Sequence, residues 1–414
     1  MNVLRDHRSS LVILSMTDHS PPAARVLLTT CVIAFVCFLG SYMRIPIAPL
    51  FAISLGADTV QVGLINSAFM IMAGFLSIPT GLLSDRIGRR RPLLIGLLLL
   101  SGSSFLLAIS QSPLQMGCIY LVFGIGLAAL SPTLMSYVAD ITPPEALGQA
   151  FGWYTMSLYS GMTLGPAVGG LLGGLIGLRP IFVCSGILIL LMFGAAYCLL
   201  HDTADKERKC HASIDLRATF SDLLHNRRLI ACLLTTIGGC VGFGMFISFM
   251  PLYIRSLGMQ TMAVGFVCAT QALANAIARI PAGWLCDRVN DRRILVFSGT
   301  FVLSLAMASF GLCHTLLALL VTAAAMGFSM GIAFTVICAL IADAVPNRMR
   351  GLAMGCYNTS VYLGMMLCAL GMGIVIREHG FRAGFYLTGG IIFGSMILFG
   401  LVYGSENRVQ KNPL

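Results

Sequence analysis

The chain has 414 residues, 57% of them hydrophobic and 10% charged, with a mean hydropathy of +0.89 and a formal charge of +10. A soluble domain carries roughly 25% charged residues, so this composition excludes a set of ordinary soluble domains. The basic residues sit in short segments between apolar runs, not along one solvated face, which removes the nucleic-acid reading that a charge of +10 would otherwise invite.

Residues 1–25 are mixed and polar and read as a cytoplasmic tail, not a secretory leader. Apolar runs long enough to cross a hydrocarbon core of about 30 Å as helices then recur along the chain. They predict spans over 26–53, 60–83, 92–110, 114–138, 149–176 and 179–200, and again over 229–252, 262–285, 294–313, 315–341, 352–376 and 381–404. The polar stretch 201–228 reads as a cytoplasmic linker between two six-helix bundles, 26–200 and 229–404. Residues 405–414 form a second cytoplasmic tail. With the N-terminus inside, twenty of the 26 Lys and Arg residues fall on inner segments and four on outer ones. Under the positive-inside rule this places both termini in the cytoplasm and the protein in a cell's inner (plasma) membrane.

The two halves repeat. Pro49, Gly56, Gly63, Pro79, Gly81, Asp85 and Arg86 match Pro251, Gly258, Gly265, Pro281, Gly283, Asp287 and Arg288 at an offset of 202. Further on, Asp140, Tyr154, Tyr159 and Gly161 match Asp343, Tyr357, Tyr362 and Gly364 at an offset of 203. Six spans between equivalent points preserve orientation, so the repeats are parallel and suit rocking about a midplane site.

Within the first half, Gly81 to Leu93 forms a tight basic turn in which Gly81 and Gly88 permit a sharp reversal. Asp85 sits where a carboxylate can meet nearby Arg side chains or free helix amides. This turn resembles the hallmark loop of the major facilitator superfamily. The second copy, from Gly283 to Leu295, is degraded, with Asn290 and Asp291 in place of Gly88 and Arg89. The resemblance covers the whole chain and implies an all-α membrane fold of twelve transmembrane helices in two pseudo-symmetric six-helix bundles. It also implies a cytoplasmic gate of Gly81, Asp85, Arg86, Gly88, Arg89 and Asp140, with Asp287 and Arg288 in the second half. In that role Asp85, Arg89 and Asp140 hold the halves together when the cavity faces outward.

The run Gly161, Gly165, Pro166, Gly169, Gly170 resembles the fifth-helix motif of exporters and antiporters. Small residues at a spacing of four let helices approach closely, and Pro166 bends the helix. With Gly40, Pro46 and Pro49 it is similar to the twelve-helix drug/proton antiporter subfamily. That implies export of small organic or drug-like compounds by proton antiport, through a monomer that needs no cofactor. Two departures stand against it. Tyr120 and Phe123 precede Gly124 where that subfamily usually carries Arg and Gln, and no Asp, Glu or His lies deep in a span, where a proton-coupled carrier normally has a titratable group.

Arg44 is the most isolated charge, roughly 27 Å from the start of the first span at 1.5 Å per residue. It reads either as a cavity charge for an anionic metabolite, in uptake or efflux, or as a side chain reaching the outer headgroups. Arg279, a turn before Gly283, reads as structural. Asn66, Tyr154, Tyr159, Gln271, Asn275, Tyr357, Asn358 and Tyr362 are polar candidates for the cavity wall, where amides and phenols in an apolar pocket suit amphipathic molecules. Most cysteines lie within apolar runs without CxxC spacing, so they read as packing residues, not metal ligands. No nucleotide, zinc-protease or serine-hydrolase motif appears, and no selectivity-filter loop of a channel.

Overall fold

The computed structural model describes residues 21–143, 147–200, 226–289, 291–346 and 350–404. The tails 1–20 and 405–414, residues 201–225 of the expected linker, and the side chains of Asp85, Arg86 and Asp287 lie outside the described residues. The first half comprises α1 (Pro21–Met43), α2 (Ile47–Ser54), α3 (Thr59–Ile87), α4 (Arg90–Ile109), α5 (Pro113–Ile141), α6 (Leu147–Ile176) and α7 (Leu178–Leu199). The second comprises α8 (Arg227–Ser256), α9 (Thr261–Arg288), α10 (Arg293–Phe310), α11 (Leu316–Ala344) and α12 (Arg350–Gly404).

These elements make twelve crossings. α1 and α2 together form one, because the run expected as a single helix breaks at Arg44–Pro46. Pro46 has no N–H to donate, and the Ile45 amide turns to the Tyr42 carbonyl instead. Proline stands at both 46 and 49 here, whereas Ser248 and Pro251 occupy the matching places in α8, which runs on unbroken. The 55 residues of α12 form two crossings, separated at Gly380, whose φ of 81° no helical residue adopts. Gly177, 203 residues earlier, separates α6 from α7 with a φ of 91°. The left-handed region is open to glycine at little cost, so the same residue type reverses the chain at the same point of each half.

The repeat extends to individual contacts. The Ser101 hydroxyl donates to the Gly186 carbonyl, and Ser304 donates to Gly389. Gly124 lies against the backbone of Phe69, and Gly327 against that of Gln271. In the first half α1 packs on α6 and α7, α3 on α5, and α4 on α5 and α7; α8 to α12 repeat the arrangement. The halves meet where α3 lies along α12 and α6 along α9. These cross-half contacts cluster at the face opposite the basic turns. There Thr59 donates to the Gly373 carbonyl at 3.0 Å, Arg377 lies 3.8 Å from Asp58, and Gly170 abuts Gly265.

Arg44 takes neither of its expected places. It is 0% exposed, so it does not reach headgroups, and it points into the first half instead of toward the second. Its Nη1 donates to Ser103 and Ser104 of α4 at 3.2 and 2.9 Å. Its guanidinium carbon lies 3.5 Å from the centroid of the Phe123 ring and 6.0 Å from that of Tyr120. Nε and Nη2 have no hydrogen-bond partner among the described residues. At the matching place in the second half stands Phe246, buried against Phe310. The fold therefore accommodates an apolar side chain at this point, and Ser103 and Ser104 keep their own bonds to the Leu100 carbonyl without the arginine. Burying a charge without an opposite charge beside it costs desolvation free energy that an apolar side chain does not incur. Arg44→Met is accordingly expected to keep or raise the thermal midpoint of the purified protein in detergent. A midpoint lower by several degrees would show that the rings and serines fully compensate the cation.

Candidate functional site

The fifth-helix glycines position the site. Gly161, Gly165 and Gly169 share one edge of α6 and lie against the backbone of α1 at Phe35, Leu39 and Met43. A methyl on Gly165 would sit 2.8 Å from the Tyr42 Cβ. Gly170 faces the other way, onto Gly265 of α9, where any side chain would collide with backbone. Pro166 lies within α6 without ending it. One helix thus carries two bare edges, one for its own half and one for the other.

Below this seam, toward the basic face, α6 presents Tyr159 to the second half. The Arg279 guanidinium of α9 lies over the Tyr159 ring, 4.4 Å from its centroid. Arg279 Nε donates to Asn275 Oδ1 at 3.0 Å, one helical turn away. Tyr159 is 40% exposed and lies near Tyr42, Tyr154, Tyr357 and Tyr362. Tyr357 hydrogen-bonds the Cys338 thiol of α11, and Arg279 lies near the same thiol. The result is a cluster of phenols from α1, α6 and α12 around Tyr159, whose own ring carries the Arg279 guanidinium at the meeting of the halves.

Of the residues chosen from sequence, the structure brings together Tyr154, Tyr159, Tyr357, Tyr362 and Asn275. Tyr154 is almost fully buried and donates to the Ser131 carbonyl at 3.4 Å. Gln271 is directed away, its amide toward Met330 Sδ of α11. Asn66 is buried with an unpartnered Nδ2, and Asn358 is exposed without a partner among the described residues. Arg44 does not belong to this site. Arg279, expected to be structural, and Tyr42, not singled out, both do. A signal for Arg279 was present in the sequence: its repeat partner is Ser77, so the charge exists in one half only.

The basic turns are better conserved within the chain than the sequence register suggests. Gly88 takes a φ of 90° and ends α3. Arg89 donates to Asp140 at 2.8 Å and to Ser84 at 3.0 Å, while Gly81 faces Pro132. In the second copy Arg292, not Asp291, takes the role of Arg89. It pairs with Asp343 across the same 51 residues and also donates to the Cys286 carbonyl. One inserted residue before Arg292 shifts the register from 202 to 203, which made the copy look degraded. Asp291 instead pairs with Arg293, whose side-chain hydrogen bonds hold the Asp291 carboxyl below its ordinary value. Arg288 ends α9 and is exposed. Both ion pairs, Arg89–Asp140 and Arg292–Asp343, join elements of one half and do not bridge the two.

The family model of the Major Facilitator Superfamily matches residues 30–268 and 241–414. An uncharacterised transporter of this type from Methanocaldococcus jannaschii is 26% identical over 366 residues, covering 86% of this chain and 94% of its own. Multidrug resistance protein MdtG of Proteus mirabilis is 28% identical over 395 residues, covering 91% and 96%. Among solved structures, a bacterial homologue of the human lysosomal transporter Spinster in an inward-facing, occupied conformation superposes with a TM-score of 0.79. The two share 16% identity, covering 93% of this chain and 97% of that one. The human organic anion transporter MFSD10 has a TM-score of 0.65 at 20% identity, covering 92% and 100%. With its sequence matched over both halves and its twelve crossings in two repeated bundles, the chain belongs to the Major Facilitator Superfamily.

Proposed function

We propose that this transporter exports small organic compounds by alternating access, exchanging them for protons. The observation that carries the reading is the tyrosine cluster between the halves, where phenols from three helices gather around Tyr159 and one cation lies on its ring. A largely aromatic wall with few polar groups suits amphipathic molecules of varied shape. The relatives named multidrug resistance proteins, similar over nearly their whole length, support a drug-like substrate class. The glycine edges of α6 support the direction, since they resemble those of exporters. The count of basic residues supports an inner-membrane protein with cytoplasmic termini. On that orientation the close Gly170–Gly265 contact seals the outer side.

The basic turns fit a gate in this scheme. Each Arg–Asp pair keeps one half rigid at its cytoplasmic end. Asp85, together with Arg89 and Asp140, then bridges the halves when the cavity faces outward. No Asp, Glu or His sits deep in a described span, so the proton would be carried by a group at a helix end or by the substrate itself.

Two experiments test this reading. In liposomes with an imposed pH gradient, ethidium and other fluorescent organic compounds are expected to move against the proton flux; movement indifferent to the gradient would remove the antiport. Gly170→Val is expected to abolish that transport while the protein still folds and inserts, because the side chain collides with the Gly265 backbone. Wild-type rates in this variant would show that the outer seam need not close so tightly.

A further inference from the structure

We propose that Arg279 is the recognition point for an organic anion, an aromatic carboxylate in particular, bound at the guanidinium edge while Tyr159 holds its face. The inference rests on the exporter reading and assigns a substrate class to its site.

Arg44, at the break between α1 and α2, and Arg279, within α9, are the two cations that lie inside a described crossing and not at its ends. Arg44 is sealed inside the first half, which leaves Arg279 as the charge that meets the space between the halves. Its described partners are neutral: the Asn275 side-chain oxygen at Nε and the face of Tyr159. No carboxylate among the described residues pairs with it, and its Nη1 and Nη2 make no hydrogen bond there. Arg279 is part-exposed, so those two nitrogens are open to a ligand. A guanidinium whose Nε is engaged still offers a carboxylate two parallel N–H donors at its end.

The surrounding phenols define the rest of the ligand. Tyr159 lies on the cation, and Tyr154, Tyr357 and Tyr362, its neighbours from both halves, extend the aromatic surface behind it. Flat aromatic faces favour a flat aromatic body. The cation is not repeated: its partner, Ser77, spends its hydroxyl on the Ala73 carbonyl of its own helix. The ligand's charged end is therefore drawn to the second half, and a fixed positive charge discriminates against cationic compounds.

Binding also takes place at a contact between the halves. A paired carboxylate gives charge-assisted hydrogen bonds in the guanidinium plane and leaves the face to the Tyr159 ring. An anion on Arg279 is thus held beside Tyr159, at a link across the interface. A ligand that changes the relative stability of two arrangements shifts the population between them, so occupancy is felt by the rocking motion.

The test uses three compounds of one skeleton on the full-length protein in nanodiscs: 1-naphthoate, 1-naphthamide and 1-naphthylmethylammonium. Wild type is expected to bind naphthoate about ten-fold tighter than the amide, the ratio that one charge-assisted hydrogen bond supplies, and the ammonium most weakly. Arg279→Gln is expected to bring naphthoate and amide within roughly two-fold of each other, leaving amide binding intact. Arg279→Lys should restore part of the preference, since it keeps the charge but not the paired donors. Equal binding of acid and amide by wild type, no naphthoate binding, or an equal loss of both in Arg279→Gln would overturn the proposal. Naphthoate flux in liposomes separates the two readings. Tight binding without flux under any imposed gradient would leave the recognition site standing and sink the export reading.

Discussion

Inside a bilayer an apolar side chain gains little by exchanging lipid for another helix, so helices must be held by close backbone approach. In this chain α6 carries that constraint. Three of its glycines lie on the backbone of α1 and a fourth on Gly265 of α9. Because the first edge is bare, α1 lies close enough to bring Tyr42 beside Tyr159. Because the second is bare, α9 lies close enough to bring Arg279 over the same ring. Bulkier residues on either edge would widen the gap and scatter the cluster. The motif that resembles those of exporters therefore acts first as a spacing device, from which the geometry of the site follows.

The internal repeat works as a control for the two intramembrane charges. Where a residue is needed for the fold, the other half tends to repeat it, as with Ser101 and Ser304 or Gly177 and Gly380. Arg44 is answered by Phe246 and Arg279 by Ser77. Neither charge is demanded by the architecture. They differ in what surrounds them: Arg44 is enclosed by α1, α4 and α5, whereas Arg279 meets the opposite half. The rings under Arg44 are Tyr120 and Phe123, the positions where the antiporter resemblance leads one to expect arginine and glutamine. The first helix thus supplies the buried cation that the fourth does not.

Much of the fold was legible because its signals are local or strictly periodic. Span length, the basic bias of one set of loops and the paired glycines all act through the chain near them. The break at Arg44–Pro46 was less visible, since a single proline is often absorbed within a helix, as Pro166 is here. The pairing of Arg292 was hidden by one inserted residue, which no composition rule detects. Side-chain direction was least legible. Gln271 and Asn275 share a helix face by spacing, yet one turns to Met330 and the other to Arg279. Which neighbour a helical side chain meets depends on how helices pack, and a single span does not specify that. The asymmetry of Arg279 across the repeat was readable, but only in combination with the packing does it become a site.

That asymmetry bears on how the halves move. Arg279 lies fourteen residues along α9 from Gly265, roughly 21 Å at 1.5 Å per residue. If the close seam at Gly170 and Gly265 is the point about which the halves turn, contacts near it change little and contacts far from it change most. The Arg279–Tyr159 pair sits on the long arm of that lever, short of the basic turns. A small rotation there separates ring from guanidinium, while the Arg–Asp pairs, each confined to one half, are carried along intact. A perfectly symmetric carrier would respond alike to a ligand presented either way round. With Arg279 on the second half and its aromatic partner Tyr159 on the first, the proposed site distinguishes the two ends of its ligand, and the contact between them lies far from the seam.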